Sequence, residues 1–178
     1  MLHMTNIHIR PATNADLPAL YRFEQGVITA ERPFDPTLKP DPINYYDLPA
    51  MIAHPDIQLL VAELAAQPVA EQQTPAAGSA IDHPETRLVG SGYARIEPAK
   101  PYLRHPLHAY LGFMYVEPAH RGKGINRMII DALKAWALSR NITELRLDVY
   151  HANASAIQAY EKAGFSQHMI NMRQGIVP

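Results

Sequence analysis

Hydrophobic and polar positions in the first third of the chain predict a strand, a helix and then a loop. Ile7 to Arg10 alternates between apolar and polar residues as a strand does, and the apolar residues from Leu17 to Phe23 follow a helical spacing. Four prolines between Arg32 and Pro42 break regular structure, and a short helix is expected around Tyr45 to Ala53. The chain therefore begins as strand, helix and shaped loop.

Two apolar segments, Ile57 to Leu64 and Leu88 to Ile96, predict strands on either side of a stretch rich in Ala, Gln, Pro and Glu. Residues 65–87 have no hydrophobic period, and a segment of that composition buries too little surface to offset its ordering entropy. We expect a flexible hairpin extension there, within one domain that covers residues 1–178.

The second half of the chain predicts alternating strands and helices. They are a strand at His108 to Val116, a helix from Ile125 to near Arg140, a strand at Leu145 to Val149, a helix at Ser155 to Ala163 stopped by Gly164, and a strand at Phe165 to Met172. A helix that joins two strands of one sheet makes them parallel neighbours. The fold class is therefore α/β, and the strands at Leu111 to Val116 and Leu145 to Val149 are expected to form a parallel pair.

Composition narrows the classes of function. The chain of 178 residues carries 16 basic and 17 acidic side chains, so its net charge of −1 favours neither nucleic acid nor an anionic membrane as a partner. It has no long apolar run and no signal-like start, so a cytoplasmic location is expected. The absence of cysteine excludes disulfides, thiolate metal sites and a cysteine nucleophile, and we expect no metal.

The segment from Val116 to Asn126 leads from a strand into a helix through a turn with two glycines, Gly122 and Gly124. Glycines permit a close backbone approach, and the unpaired amides of a helix start suit a phosphate or pyrophosphate. A structural alternative is a plain tight turn with solvated cations. The spacing matches neither the P-loop nor the dinucleotide fingerprint, since Gly124 follows Lys123 and Arg127 holds the place of a third glycine.

Two signatures resemble the GNAT superfamily of N-acetyltransferases. Arg121-Gly122-Lys123-Gly124-Ile125-Asn126 is similar to its coenzyme A signature in five of six places, and Asn126 stands where the family usually has a small residue. The run from Asn153 to Phe165, with Tyr160-Glu161-Lys162 and Gly164-Phe165, resembles its second signature. The resemblance covers Tyr110 to Phe165 well and residues 32–87 hardly at all.

The resemblance implies the GNAT fold, an α/β (α+β) architecture whose mostly antiparallel mixed sheet has helices on both faces and a splayed parallel pair. It implies acetyl-CoA as cosubstrate, with its thioester arm lying between the parted strands. The implied cofactor-binding residues are Tyr115, Val116, Arg121, Gly122, Lys123, Gly124, Ile125, Asn126, Asn153 and Tyr160, and Tyr160 is the implied catalytic acid for the departing thiolate.

Asn153 and Tyr160 of the second signature each have a structural alternative to the functional role. Asn153 and Tyr160 are seven residues apart, so both point the same way on a helix that begins at Asn153. Asparagine is also a good helix cap, and Tyr160 can be a half-buried aromatic with a hydrated hydroxyl. Together with the full signature, we interpret both as functional.

The acceptor is expected to be a small-molecule or peptide amine, with a homodimer as one option for assembly. Phe34, Tyr45 and Tyr46 are candidates for lining its pocket. An alkyl ammonium must lose a proton before it attacks, and His108 and Glu97 are weak candidates for the base. Two other hypotheses remain at this point: a non-catalytic acyl-CoA-binding or sensing module, and a purely structural domain.

Overall fold

The protein is described by a computed structural model at residues 7–65 and 87–176, and the expected extension at 65–87 falls almost wholly outside those residues. Its strands and helices are β1 (Ile7–Pro11), α1 (Leu17–Glu31), α2 (Leu48–Ala53), β2 (Ile57–Leu64), β3 (Arg87–Pro98), β4 (Leu107–Val116), α3 (Ile125–Ser139), β5 (Leu145–Arg146) and α4 (Ala154–Lys162). The chain forms two compact units, Met1–Asp148 and Val149–Pro178. The first contains the sheet with α1, α2 and α3, and the second contains α4.

The five strands of the first unit form one mixed sheet in the order β1-β2-β3-β4-β5. Strands β1 to β4 pair antiparallel with their neighbours in sequence, and β4 pairs parallel with β5. The crossover between β4 and β5 contains α3, as a parallel connection requires. The predicted α/β (α+β) class, mostly antiparallel with one parallel pair, is confirmed.

Helices cover both faces of this sheet. Alternate side chains of each strand point to opposite faces. On one face Leu59 and Val61 of β2 join a buried cluster with Leu20 and Phe23 of α1. On the other face a Cβ added to Gly90 of β3 would lie 3.5 Å from side-chain atoms of α3, which packs there. The sheet therefore separates α1 and α2 from α3.

The start of α1 is fixed by a partly buried ion pair. The carboxylate of Asp16 accepts hydrogen bonds from the Thr13 backbone N–H at 2.7 Å and from both terminal nitrogens of Arg10 at 2.8 and 2.9 Å. These charge-assisted bonds hold the pKa of Asp16 below its usual value, with Arg10 as the main cause. They tie the end of β1 to the helix.

The predicted parallel pairing of β4 with β5 is confirmed, but it is shorter than the predicted strands. Ala109 pairs with Leu145 and Tyr110 with Arg146, so the pairing lies just before Leu111 and does not extend along Leu111 to Val116. The irregularity in β4 that begins just beyond this point, described below, accounts for the difference, because it bends the strand. The pairing of β4 with β5 therefore ends at Tyr110 and Arg146.

The predicted last strand at Phe165 to Met172 is also wrong. Residues 165–176 have no regular secondary structure, and Met169, Ile170 and Met172 are exposed. A strand is stabilised by burying one face, and these exposed side chains bury none. The helix before this segment ends as expected, because Gly164 adopts a φ of +98° and its N–H donates to the Glu161 carbonyl.

Candidate functional site

The turn between β4 and α3 presents backbone rather than side chains. Gly122 and Gly124 have φ values of +75° and +80°, the left-handed region that favours glycine. A short helical turn at Pro118–His120 precedes them, and Gly124 is the N-cap of α3. The first amides of α3 have no partner inside the helix, so they are available to an anion.

The space above this turn is open. A Cβ added to Gly122 or Gly124 would meet no heavy atom of the described residues within 4 Å, and residues 121–124 are exposed. The glycines are therefore not required by packing within the protein. Their backbone conformation and the open space above them fit a group that approaches the amides closely.

The residues flanking the glycines anchor the turn. Ile125 is 2% exposed and packs into the core, so its side chain fixes the start of α3 and only its backbone can reach a ligand. The Arg121 Nε donates to the Val116 carbonyl at 3.0 Å, which ties the turn to the end of β4. The charge of Lys123 is exposed, and Asn126 is half-buried.

Strand β4 carries a bulge in the segment that leads to this turn. Ser91 of β3 pairs with Tyr115 and Tyr93 pairs with Gly112, so Phe113 and Met114 together face one residue of β3. Phe113 has a φ of +55°, which is strained for a residue with a side chain. The buried Ser91 hydroxyl donates to the Phe113 carbonyl at 3.2 Å and holds the bulge.

The side chain of Tyr115 is directed to α1. Its ring lies 5.0 Å from that of Phe23, and a Cβ on Gly26 would come within 2.5 Å of it. Any contact that Tyr115 makes with a ligand on the other side of β4 would therefore be through its backbone groups.

In the second unit, Asn153 caps α4. Its side-chain oxygen accepts from the Ala156 N–H at 3.2 Å and from the Ser155 hydroxyl at 3.1 Å, so the structural alternative for this residue is present. Tyr160 is half-buried, and its ring makes an edge contact with Phe165 at 6.0 Å. The predicted functional roles of Asn153 and Tyr160 remain predictions.

A buried carboxylate on α1 shapes the loop before α2. Glu24 is fully buried, and its Oε1 accepts the backbone N–H groups of Tyr45 and Tyr46 at 2.9 and 3.0 Å. Its Oε2 is buried and has no hydrogen-bond partner among the described residues, a costly arrangement. Sequence reasoning missed Glu24. The signal was an acid four residues after Leu20, within the apolar stripe of α1.

The two tyrosines whose backbone N–H groups Glu24 accepts lie close together over the sheet. The rings of Tyr45 and Tyr46 are 3.9 Å apart, and the Tyr46 ring lies 4.8 Å from Phe113 and 5.9 Å from Tyr93. Burial is the main reason that the pKa of Tyr46 is raised, so it remains a neutral hydroxyl. Tyr45 is about half exposed and faces solvent beside the bulge region.

The candidates considered for the base are engaged elsewhere. Glu97 forms an ion pair with Arg95. His108 is 7% exposed, and burial lowers its pKa, so the neutral ring is favoured. Its Nε2 lies 3.6 Å from Glu97.

A different carboxylate, that of Asp148, lies near the point where the pairing of β4 with β5 ends. The Tyr110 hydroxyl donates to Oδ2 of Asp148 at 3.3 Å, which joins the last paired residue of β4 to a residue just beyond β5. Burial, with Asp148 nearby, raises the pKa of Tyr110 and keeps it a donor. Asp148 itself is exposed. Sequence reasoning did not consider it, because only the fold brings it to Tyr110.

Two further features are absent from the residues that the structure describes. No helix in those ranges is long and apolar enough to cross a membrane. Nor do three or more His, Asp or Glu side chains in the same ranges come together as a metal site.

Comparison with known proteins places these features in a family. The profile of the acetyltransferase (GNAT) family matches residues 44–165. A streptothricin acetyltransferase of Escherichia coli is 38% identical over 58 residues, which is 33% of each chain. One from Streptomyces lavendulae is 43% identical over 51 residues, 29% of this chain and 27% of that one. The chain thus spans about a third of the length of the curated relatives it matches.

Solved structures agree in fold. A predicted acetyltransferase from Clostridium acetobutylicum, solved with acetyl-CoA, superposes with a TM-score of 0.61 at 17% identity, covering 95% of this chain and 96% of that one. The residues that match the family profile contain the two-glycine turn, the bulged strand before it and the short parallel pair of this chain. The chain belongs to the acetyltransferase (GNAT) family.

Proposed function

We propose that this protein is an acetyl-CoA-dependent N-acetyltransferase that moves an acetyl group directly from the thioester to an amine. The observation that carries the proposal is the open turn with left-handed Gly122 and Gly124, at the end of a strand that pairs with its parallel neighbour at two residues. Family membership supports acetyl transfer as the chemistry. The absence of cysteine supports direct transfer over a thioester on the enzyme.

The donor's pyrophosphate is assigned to the amides of residues 121–126, with the helix start and the Lys123 charge adding attraction. Arg121 and Ile125 fix the turn, and Asn126 continues the first turn of α3. The thioester arm is assigned to the opening beside β4, where backbone groups of Tyr115 and Val116 can pair with its amides. When bound, acetyl-CoA supplies the activated acyl group, and the protein supplies alignment.

In the second signature, Asn153 is proposed to bind the arm and Tyr160 to donate a proton to the departing thiolate. A coenzyme A thiol is already a fair leaving group, so the donor's help is modest compared with alignment. That Asn153 caps α4 is compatible with a binding role only if the side chain serves both functions or exchanges partners.

The acceptor is proposed to be a small-molecule amine that reaches the reaction centre beside the Tyr45 and Tyr46 loop. Streptothricin is the first compound to test, because two relatives are named for its acetylation. The half-exposed Tyr45 ring offers an apolar and weakly cation-attracting face. We expect the chain to act as a single domain in the cytoplasm.

An acceptor screen tests the proposal. The full chain is mixed with acetyl-CoA and a panel of amines that includes streptothricin, and free thiol release is followed together with the mass of the product. Transfer to an amine supports the proposed function. Tight acetyl-CoA binding without thiol release for any acceptor would instead favour the non-catalytic binding or sensing module. Failure to bind acetyl-CoA would favour the structural domain.

A further inference from the structure

The geometry of β4 determines where the reactive end of the donor lies, given the proposed function. The turn at residues 121–126 follows the carboxyl end of β4, and β4 pairs with β5 at Ala109 and Tyr110. A donor whose phosphates lie on the turn and whose arm runs back along residues 111–116 covers about 20 Å at roughly 3.3 Å per residue. Its thioester therefore arrives where the strands meet.

Tyr110 and Asp148 are the polar pair at this closed end. Tyr110 lies on β4 and Asp148 two residues beyond β5, and the Tyr110 hydroxyl donates to the Asp148 carboxylate at 3.3 Å. Tyr110 packs its ring against the buried cluster on the α1 and α2 face. Asp148 is therefore held on the face of the sheet that residues 32–47, the acceptor loop, cover. Its carboxylate stays exposed to solvent and to an incoming amine.

The charges around this pair leave Asp148 as the carboxylate best placed to act. Arg95 of β3 lies 5.9 Å from the Tyr110 ring and is neutralised by Glu97. On β5, Arg146 pairs with Glu144. These ion pairs occupy the neighbouring acids with cations of their own, whereas the hydrogen bond that Asp148 receives comes from a neutral hydroxyl.

We propose that Asp148 is the proton acceptor for the attacking amine and that Tyr110 is a positioning residue that orients it. The bound ammonium first gives one proton to the Asp148 carboxylate, which passes it to water. The neutral amine nitrogen then forms a bond to the thioester carbonyl carbon, the carbon–sulfur bond breaks, and the second nitrogen proton passes to Asp148. The thiolate takes its proton from Tyr160, as proposed above. Asp148 then releases its proton to water and Tyr160 regains one, so the overall reaction of an ammonium releases one proton.

Replacement of Asp148 tests this assignment. Asp148→Asn keeps the shape and the hydrogen bond from Tyr110 but cannot accept the proton, so kcat should fall about 100-fold. The dissociation constant of acetyl-CoA should stay unchanged, and Asp148→Glu should recover part of the rate. The matched control is Asp131→Asn on α3, an exposed acid paired with Arg127, whose loss should leave turnover unchanged.

Tyr110→Phe tests the positioning role separately. It should lower kcat several-fold in the wild type and have no further effect in the Asp148→Asn background, because the hydroxyl acts through the carboxylate. Thermal unfolding of each variant shows that it is folded. A merely structural Tyr110 would instead give the same fractional loss in both backgrounds, and that result would overturn the positioning role.

The outcomes separate this inference from the proposed function. An Asp148→Asn variant with wild-type kcat, or one with only a higher acceptor KM, would overturn the proton-acceptor role while the wild type still transfers acetyl groups. A wild type that transfers to no amine would overturn the proposed function, and this inference with it.

Discussion

The turn at residues 121–126 and the loop at residues 32–47 are built in opposite ways. The turn presents backbone amides to open space and depends on two left-handed glycines. The loop is held by side chains of α1: Glu24 binds two of its amides, and Gln25 donates to the Ile43 carbonyl at 2.7 Å. The first is proposed to bind the donor, and the second to face the acceptor.

Recognition by backbone leaves a short signature, because only glycine adopts the required φ at little cost. Recognition by side chains from separate elements leaves none, because Glu24 and Tyr46 are 22 residues apart and meet only in the fold. A common donor can therefore be inferred from a few adjacent residues, whereas the acceptor cannot.

Gly124→Val should give the largest loss, which is in affinity for acetyl-CoA. It tests whether the turn at residues 121–126 binds the donor through its backbone. Valine at a φ of +80° is strained, and its side chain would cover the amides, so acetyl-CoA affinity should fall roughly 100-fold. Lys123→Ala removes one exposed, screened charge and should cost only about two- to threefold. Calorimetric titration of folded variants measures both. Equal losses would show that side-chain charge, not the backbone, holds the pyrophosphate.

Tyr160→Phe should have the next largest effect. It tests whether the second signature contributes to catalysis, in addition to the donor binding proposed for the turn at residues 121–126. The variant keeps the ring contact with Phe165 and removes one hydroxyl, so kcat should fall about tenfold while acetyl-CoA affinity stays nearly intact. Steady-state kinetics and titration separate the two quantities. Tyr102→Phe, at a 75% exposed residue, is the control. Unchanged turnover would return Tyr160 to a structural role.

Glu24→Gln should have the smallest effect on turnover. It tests whether side chains of α1 hold the loop at residues 32–47 in place for the acceptor. Glutamine keeps one acceptor for the two amides but buries an NH2 group that needs its own partner, so unfolding free energy should drop by about 1–3 kcal/mol. The acceptor KM should rise several-fold, and the acetyl-CoA dissociation constant should not change. Thermal unfolding and kinetics with both substrates check this. A parallel rise for both substrates would mean that Glu24 supports the whole fold and not the acceptor loop.

The sequence predicted the elements whose signals are local. The bounds of β2, the apolar stripe of α3 and the stop at Gly164 follow from periodicity and a single glycine. The parallel pairing was also predicted, from the helix between its strands. Each of these features depends on neighbours within about one element.

The features that were missed depend on distant residues. The bulge at Phe113 is stabilised by Ser91 on another strand, and the parallel pairing of β4 stops before it is reached. Asp148 acquires its place only when β5 meets β4 at Tyr110. No local pattern marks a bulged phenylalanine or a carboxylate two residues beyond a two-residue strand.

A single-turnover experiment with isotopically labelled acetyl-CoA tests direct transfer to an amine most directly. The protein is incubated with labelled donor, first alone and then with an accepted amine, and mass spectrometry reads the label on the intact protein and on the amine. Direct transfer predicts an unlabelled protein before the amine is added and label on the amine afterwards. A stoichiometrically acetylated protein that then passes its label to the amine would contradict the account.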